Sequence, residues 1–292
     1  MTHRSAKFLP PEGKYVLVTG ASSGLGRTCA LQLARVGFQV FAGVRRMRDG
    51  DELAALSPSG RIRPVRVDVT DEESVAAAVK EITEETGGPG LWGLVNNAGI
   101  AVSAPLECVT PQRMRQQLDT NVVGQLAVTQ GFLPQLRRSG GRIVNVTSGL
   151  GSIALPFLGA YAAAQFAKEA MSDVLRRELK RSGIDVSVVQ PGAIMTPIWG
   201  KLTGAARRDF DDLPPATTEP YRIAFGRFLD ANDQQAPTGT SPEDFARTVY
   251  RALTAAEPRT RYQVGRDARS FHLLKRVLPD KALDRRYRVH PD

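Results

Sequence analysis

This chain is short of cysteine and aromatics and has no long apolar run. Two cysteines, Cys29 and Cys108, stand among 292 residues. They are too few for a disulfide framework and read as reduced thiols of a cytoplasmic protein. No apolar run reaches the roughly 18 residues of a membrane span, so none is expected. The stretch Met1–Lys14 carries Arg4 and Lys7 but no apolar core, which argues against a signal peptide. No internal repeat, low-complexity tract or nucleic-acid motif occurs, and no metal-ligand set is expected.

The composition that remains, 42% hydrophobic and 24% charged, fits one soluble domain with a full core. The net charge is +9, and residues 259–292 hold ten Arg or Lys against four Asp, giving +6 of it. Without aromatic interleaving, this basic end reads as solvated surface rather than a nucleic-acid site; an anionic membrane surface is the remaining alternative.

Strand-like and helix-like patterns alternate from residue 14 to 265. Apolar runs at 14–19, 39–44, 63–69, 91–95, 142–146, 184–189 and 261–264 read as strands. Helical patterns are expected at 27–36, from a Thr70 capping box to about Glu85, and from Thr110–Pro111, where an N-cap precedes an N1 proline. More follow from Tyr161, from Ser241 to about Thr254, and over 270–283, with Phe271, Leu274, Val277 and Leu278 on one side. The alternation predicts a doubly wound parallel α/β sheet, Rossmann-type, in one domain over 14–265. A lead (1–13) precedes it and a basic helical tail (266–292) follows. Residues 197–240 lose periodicity and are expected to be a substrate lid, with Met195, Ile198, Trp199, Leu202, Phe210, Phe225 and Phe228 as candidate lining of an apolar pocket.

A loop with Gly20, Ser22, Ser23, Gly24, Leu25 and Gly26 joins the first strand to the first helix. Glycines admit close backbone approach to a pyrophosphate, and a helix N-terminus favours its charge. The second strand ends at Val44, where a carboxylate would hold the ribose hydroxyls of NAD. Arg45 follows instead, and a guanidinium there suits a 2′-phosphate, so NADP(H) is expected over NAD(H). Ser148 ends the strand 142–146, on the sheet edge where open α/β folds bind ligands. Tyr161, Gln165 and Lys168 fall near one helical face.

Thr-Gly-x-x-x-Gly-x-Gly at 19–26, Asn96-Asn97-Ala98-Gly99, Asn121, Ser148, Tyr161 and Pro191-Gly192-x-x-x-Thr196 together resemble the short-chain dehydrogenase/reductase family. The likeness is nearest to its hydroxysteroid, retinol and hydroxybutyrate dehydrogenases, and covers residues 14–200. It implies Tyr161 as proton donor or acceptor, Ser148 on the substrate oxygen and Asn121 holding a water. It implies cofactor contacts from Asp68, Val69, Asn97, Ala98, Gly99, Tyr161, Gln165, Pro191, Gly192, Ile194 and Thr196. The substrate would be a small apolar alcohol or ketone, and the assembly a homodimer or homotetramer built on the Thr110 and Tyr161 helices.

One motif position departs. The family has Tyr-x-x-x-Lys, and Gln165 stands where the lysine belongs. Without that charge the tyrosine pKa should rise by roughly 2–3 units, slowing turnover near neutral pH on the order of 10²–10³-fold. The chain is then a slow or high-pH oxidoreductase, one silenced by substitution, or a cofactor-binding protein with little redox activity. Lys168, seven residues beyond Tyr161, returns to its face within about 20°. It is either a partial replacement for the missing charge or a surface lysine.

Overall fold

The computed structural model describes residues 8–194, 196, 198–234 and 240–289, with backbone alone at Ile198, Trp199 and Lys201. Met195 and the side chains of Ile198 and Trp199, expected to line the pocket, lie outside the described residues.

The elements run β1 (Tyr15–Thr19), α1 (Gly24–Arg35), β2 (Gln39–Val44), α2 (Met47–Ala55), β3 (Ile62–Arg66), α3 (Glu72–Thr86) and β4 (Gly93–Asn96). Then come α4 (Pro111–Leu118), a π-helical turn (Asp119–Val123), α5 (Gly124–Ser139), β5 (Arg142–Val146), α6 (Gly159–Glu178) and β6 (Asp185–Pro191). The chain ends with α7 (Ile198–Asp211), α8 (Pro215–Thr218), α9 (Arg222–Asp233), α10 (Pro242–Thr254), β7 (Arg261–Val264), α11 (Arg266–Val277) and α12 (Asp280–Arg286). Seven strands form one parallel sheet in the order β3-β2-β1-β4-β5-β6-β7, the doubly wound arrangement expected.

The period of two along each strand divides the core. Val16, Val18, Val40, Val144 and Val146 face α1 and α10, packing on Cys29, Leu33, Phe245 and Val249. Leu17, Phe41, Leu94 and Ile143 point the other way, onto Val75, Ile82, Val128 and Phe132 of α3 and α5. Both faces are therefore covered, which is why the strands read as unbroken β-branched runs. Strand order reverses between β1 and β4, so the crevice above their C-terminal ends is where this topology seats a ligand.

Four local expectations change. The first helix starts at Gly24, not Arg27, so its first turn includes Gly24, Leu25 and Gly26. Asp71, not Thr70, caps α3: its carboxylate accepts from the N–H groups of Glu73 and Ser74, while Thr70 turns back to Asp68. Within the stretch expected as a lid, the described residues 198–233 are largely helical, as α7, α8 and α9. Their apolar residues do recur one turn apart, Leu202, Ala206 and Phe210 in α7 and Phe225 and Leu229 in α9. Glycines and prolines between them obscure that period. Finally, the helix expected over 270–283 breaks at Leu278–Pro279, where proline cannot continue it, and Val277 is 65% exposed rather than packed.

Candidate active site

Ser148 and Tyr161 meet at the sheet edge. Ser148 follows β5 directly in extended conformation, so its side chain leaves the strand end, and its Oγ also accepts from Leu150 N–H. Tyr161 lies in the first turn of α6, with the side chains of Ser148 and Gln165 beside its hydroxyl. Burial pushes the Tyr161 phenol above the usual tyrosine value; those two polar neighbours, which favour the phenolate, draw it partway back. Gln165 Oε1 is a buried acceptor with no partner among the described residues.

Asn121 sits in the π-helical turn and is 1% exposed. Its amide clamps Ile100, accepting from the N–H at 2.9 Å and donating to the carbonyl at 3.0 Å. Gln117, one turn earlier, fixes the same stretch through Val102 N–H and the Ile100 carbonyl. The extra residue of the π turn lets both amides face that segment, and such turns gather at functional sites.

The glycine loop is a cradle with no room for side chains. Gly20 and Gly24 have φ of +66° and +55°. A Cβ on Gly26 would lie 2.3 Å from the Gly20 carbonyl and 2.5 Å from Asn97 Nδ2. Thr19 Oγ1 accepts from the N–H groups of Asn97 and Ala98, and Asn97 Nδ2 donates to the Thr19 carbonyl. Below them Asn96 Nδ2 donates to both Thr129 Oγ1 and Asn145 Oδ1. The Asn-Asn-Ala-Gly stretch therefore ties β1, β4, β5 and α5 together under the crevice. Gly99 lies against the Asn121 amide, and Thr196 against Gly24, so the turn after β6 closes on the glycine loop.

Pro191, Gly192 and Ile194 continue β6 into that turn. Asp267 at the start of α11 pins it: the carboxylate accepts from Ala193 N–H at 2.6 Å, and a Cβ on Gly192 would strike it at 1.9 Å. Sequence reading missed Asp267. The signal was Gly265-x-Asp267, a strand-to-helix junction with an acid in the first helical turn. At the far edge Val44 is buried and ends β2, and Arg45 projects into solvent with no ion-pair partner among the described residues. Arg46 is held by Asp49. Asp68 and Val69 lie just past β3, and Val69 packs against Gly124 at the head of α5.

Residues 14–206 match the short chain dehydrogenase family. The chain belongs to that family. It is 47% identical to a 3-amino-tetrahydro-pyrrolizinone reductase from Xenorhabdus hominickii over 93% of each chain. It is 36% identical to retinol dehydrogenase 5 of Mus musculus over 96% of this chain and 90% of that one. To 17-beta-hydroxysteroid dehydrogenase type 6 of Bos taurus the identity is 38%, over 94% and 87%. Among solved structures, a short chain dehydrogenase from Burkholderia cenocepacia in complex with NADP superposes with a TM-score of 0.75 at 26% identity, covering 97% of this chain and 100% of that one. The protein is an enzyme of this dehydrogenase/reductase class.

The side of Tyr161 away from the glycine loop is apolar. Tyr161 packs against a buried cluster of Leu150, Ile153, Leu158, Leu202 and Leu283, on which Phe228, Phe271 and Leu274 also pack. A second cluster behind it contains Phe210 and Phe225, with Phe157 set between Phe225 and Phe228 at ring separations of 5.3 Å each. Phe157 holds φ of +67°, a conformation costly for a bulky residue, in the loop between β5 and α6. Of the expected pocket residues, Leu202 and Phe228 therefore lie with the tyrosine, and Phe210 and Phe225 support them.

Proposed function

We propose that this enzyme is an NADP(H)-dependent reductase of an apolar ketone, with Tyr161 as the proton donor. The observation that carries the reading is the Tyr161 hydroxyl, with Ser148 and Gln165 beside it, on a ring that packs against an apolar cluster, in a fold whose first strand ends in a glycine cradle. The residues fit a nicotinamide dinucleotide: Gly20, Ser22, Ser23, Gly24, Leu25 and Gly26 border the pyrophosphate position at a helix N-terminus. Asp68 and Val69 would border the adenine, Asn97, Ala98 and Gly99 would run alongside, and Pro191, Gly192, Ile194 and Thr196 would border the nicotinamide. The unpartnered Gln165 Oε1 suits a ribose hydroxyl, which would donate to it. When bound, the reduced nicotinamide supplies the hydride.

Ser148 orients the substrate oxygen, and Tyr161 gives it a proton as the hydride arrives at carbon. Asn121, by fixing Ile100, holds the edge along which a relay water sits. Arg45, unpaired at the end of β2, favours the 2′-phosphate. The relative at 47% identity is named as a reductase of a pyrrolizinone, which favours the reducing direction here. Retinol and hydroxysteroid dehydrogenases among the relatives favour an apolar substrate. Val123, Phe166 and Val174 are exposed apolar residues on the π turn and α6, and we assign them to a subunit interface between copies of this chain. No described helix is long and apolar enough to cross a membrane, and Cys29 and Cys108 are free and buried, in keeping with a cytoplasmic setting.

A second reading, cofactor binding with little redox activity, has its own observation in Gln165 standing at the lysine position. A panel of apolar ketones and alcohols with NADPH, NADH and their oxidised forms, at pH 6 to 10, beside calorimetric titration of the cofactors, separates the two. Turnover with NADPH is expected. Tight binding with no turnover overturns the first reading in favour of the second, and no binding rejects both.

A further inference from the structure

Two buried polar stripes face each other behind the active site. Along α4, the π turn and α5 run Gln117, Asn121, Gln125 and Thr129, each one turn from the last and each at most 4% exposed. Along α6 run Tyr161, Gln165, Lys168 and Ser172, the last three at most 2% exposed. The two rows are tied at both ends. At the upper end the π turn packs directly on α6. At the lower end Thr129 is joined to Ser172 through Asn96 and Asn145, by hydrogen bonds of 2.8 to 3.0 Å. Gln125 on one stripe and Gln165 with Lys168 on the other occupy the level between.

That level is where hydrogen bonds run short. Among the described residues neither amide atom of Gln125 has a partner, nor does Gln165 Oε1. The Lys168 ammonium, with three N–H groups, has one acceptor among the described residues, the Val146 carbonyl at 2.5 Å. Unfilled buried polar groups are costly, and a polar enclosure of this kind holds ordered water. Val146 lies two residues before Ser148, so the ammonium stands just behind the Ser148–Tyr161 pair. Lys168 is not the surface lysine that its residue type suggests.

We propose that Lys168 is the proton reservoir of this active site, linked to Tyr161 through waters that it holds together with Gln125 and Gln165. It takes the part that a lysine at position 165 would otherwise play. The inference rests on the oxidoreductase reading above. As the substrate oxygen takes the Tyr161 proton, the phenolate takes one from the adjoining water. That water takes one from the Lys168 ammonium, and the resulting amine is recharged from solvent along the Gln125 side. Each bond broken is an O–H or N–H, each is remade, and one solvent proton enters per turnover.

The charged surroundings suit a lysine that cycles. Beside it on α6 is Glu169, whose carboxylate is occupied by Thr147, Gln190 of β6 and Arg261 of β7. Asp173 is paired with Arg176 and Arg261. From β5 only the neutral Val146 carbonyl and Asn145 face it, and the opposite stripe is neutral. Burial pulls Lys168 down to about 8, with Glu169 pulling the other way, so it can both hold and release a proton near neutral pH.

The test uses Lys168→Met and the double variant Lys168→Met/Gln165→Lys. Folding is checked by thermal denaturation and cofactor affinity by calorimetry. The parent should show a fall in kcat as pH rises through 8; Lys168→Met should keep NADPH affinity, lower kcat for reduction about 10- to 100-fold, and lose that fall. Restoring a lysine at position 165 in the double variant should recover most of the rate. Independently of activity, a crystal structure at about 1.5 Å should show ordered water on Lys168 Nζ and the Gln125 amide. A dry interior there overturns the inference, as does an unchanged pH–rate profile in folded Lys168→Met. No turnover by the parent on the whole panel instead sinks the oxidoreductase reading itself.

Discussion

The two walls of the crevice are built on different principles. The cofactor wall is closed by backbone. Gly20, Gly26 and Gly192 sit where any Cβ would meet a main-chain atom or a carboxylate at under 3 Å. The substrate wall is closed by side chains from several separate stretches, among them the loop carrying Phe157, then α7, α9, α11 and α12, meeting as aromatic and aliphatic clusters. Backbone fit tolerates no substitution and serves one ligand chemistry; side-chain packing can be rebuilt residue by residue. On the proposed assignment, cofactor recognition is fixed by loop geometry, and substrate choice is open to change in helices far apart in the chain.

The contrast can be broken hardest at Gly26. An alanine there has no free space, and we expect Gly26→Ala to weaken NADPH binding more than about 100-fold, over 2.7 kcal/mol by calorimetry. Binding within tenfold of the parent would show the cradle to be pliable. Next in size is the Lys168→Met effect on stability. The folded pKa is about 8 against 10.5 unfolded, so charged Lys168 opposes folding. The unfolded chain binds more protons between those values, and stability rises across pH 8 to 10.5. Below pH 8 the full penalty of about 3 kcal/mol applies. Lys168→Met should thus stabilise the fold by up to about 3 kcal/mol at pH 7 and by almost nothing at pH 11, read from denaturant midpoints.

Arg45→Ala comes third. It should weaken NADPH by about 10- to 100-fold, roughly 1.5–3 kcal/mol, and leave NADH nearly unchanged. Equal weakening would remove the basis for a phosphate preference. On the substrate wall, Phe228→Ala should raise KM for an apolar ketone about tenfold, near 1.4 kcal/mol, without altering cofactor affinity. A matching loss of cofactor affinity would mean the two walls are not independent.

The sequence disclosed these walls unequally for the same reason. β2, β5, α10 and β7 begin and end where their patterns place them, because strands covered on both faces and helices with caps leave plain marks. Gly20, Gly26, Asn97, Ser148 and Tyr161 could be named because each stands inside a short contiguous motif. The helices of 198–233 were hidden by Gly200, Gly204, Pro214, Pro215, Pro220 and Gly226, and only packing shows which face is inside. Spacing put Lys168 on the Tyr161 face, but its burial was not legible, since a lysine is buried only when the surroundings supply a partner. Asp267 was invisible because its partner, Ala193, is far away in the chain and offers nothing but an N–H.

The packing of α10 on α1 also sets a timetable. Cys29, Leu33 and Val16 share one apolar cluster with Phe245, Val249 and Leu253. During synthesis the first strand, the glycine loop and the first helix emerge early, yet their inner face stays uncovered until residue 254 has left the ribosome. At roughly 5–20 residues per second, that is an interval on the order of ten seconds or more. Until α10 docks, that face is apolar surface open to solvent and to association with other chains.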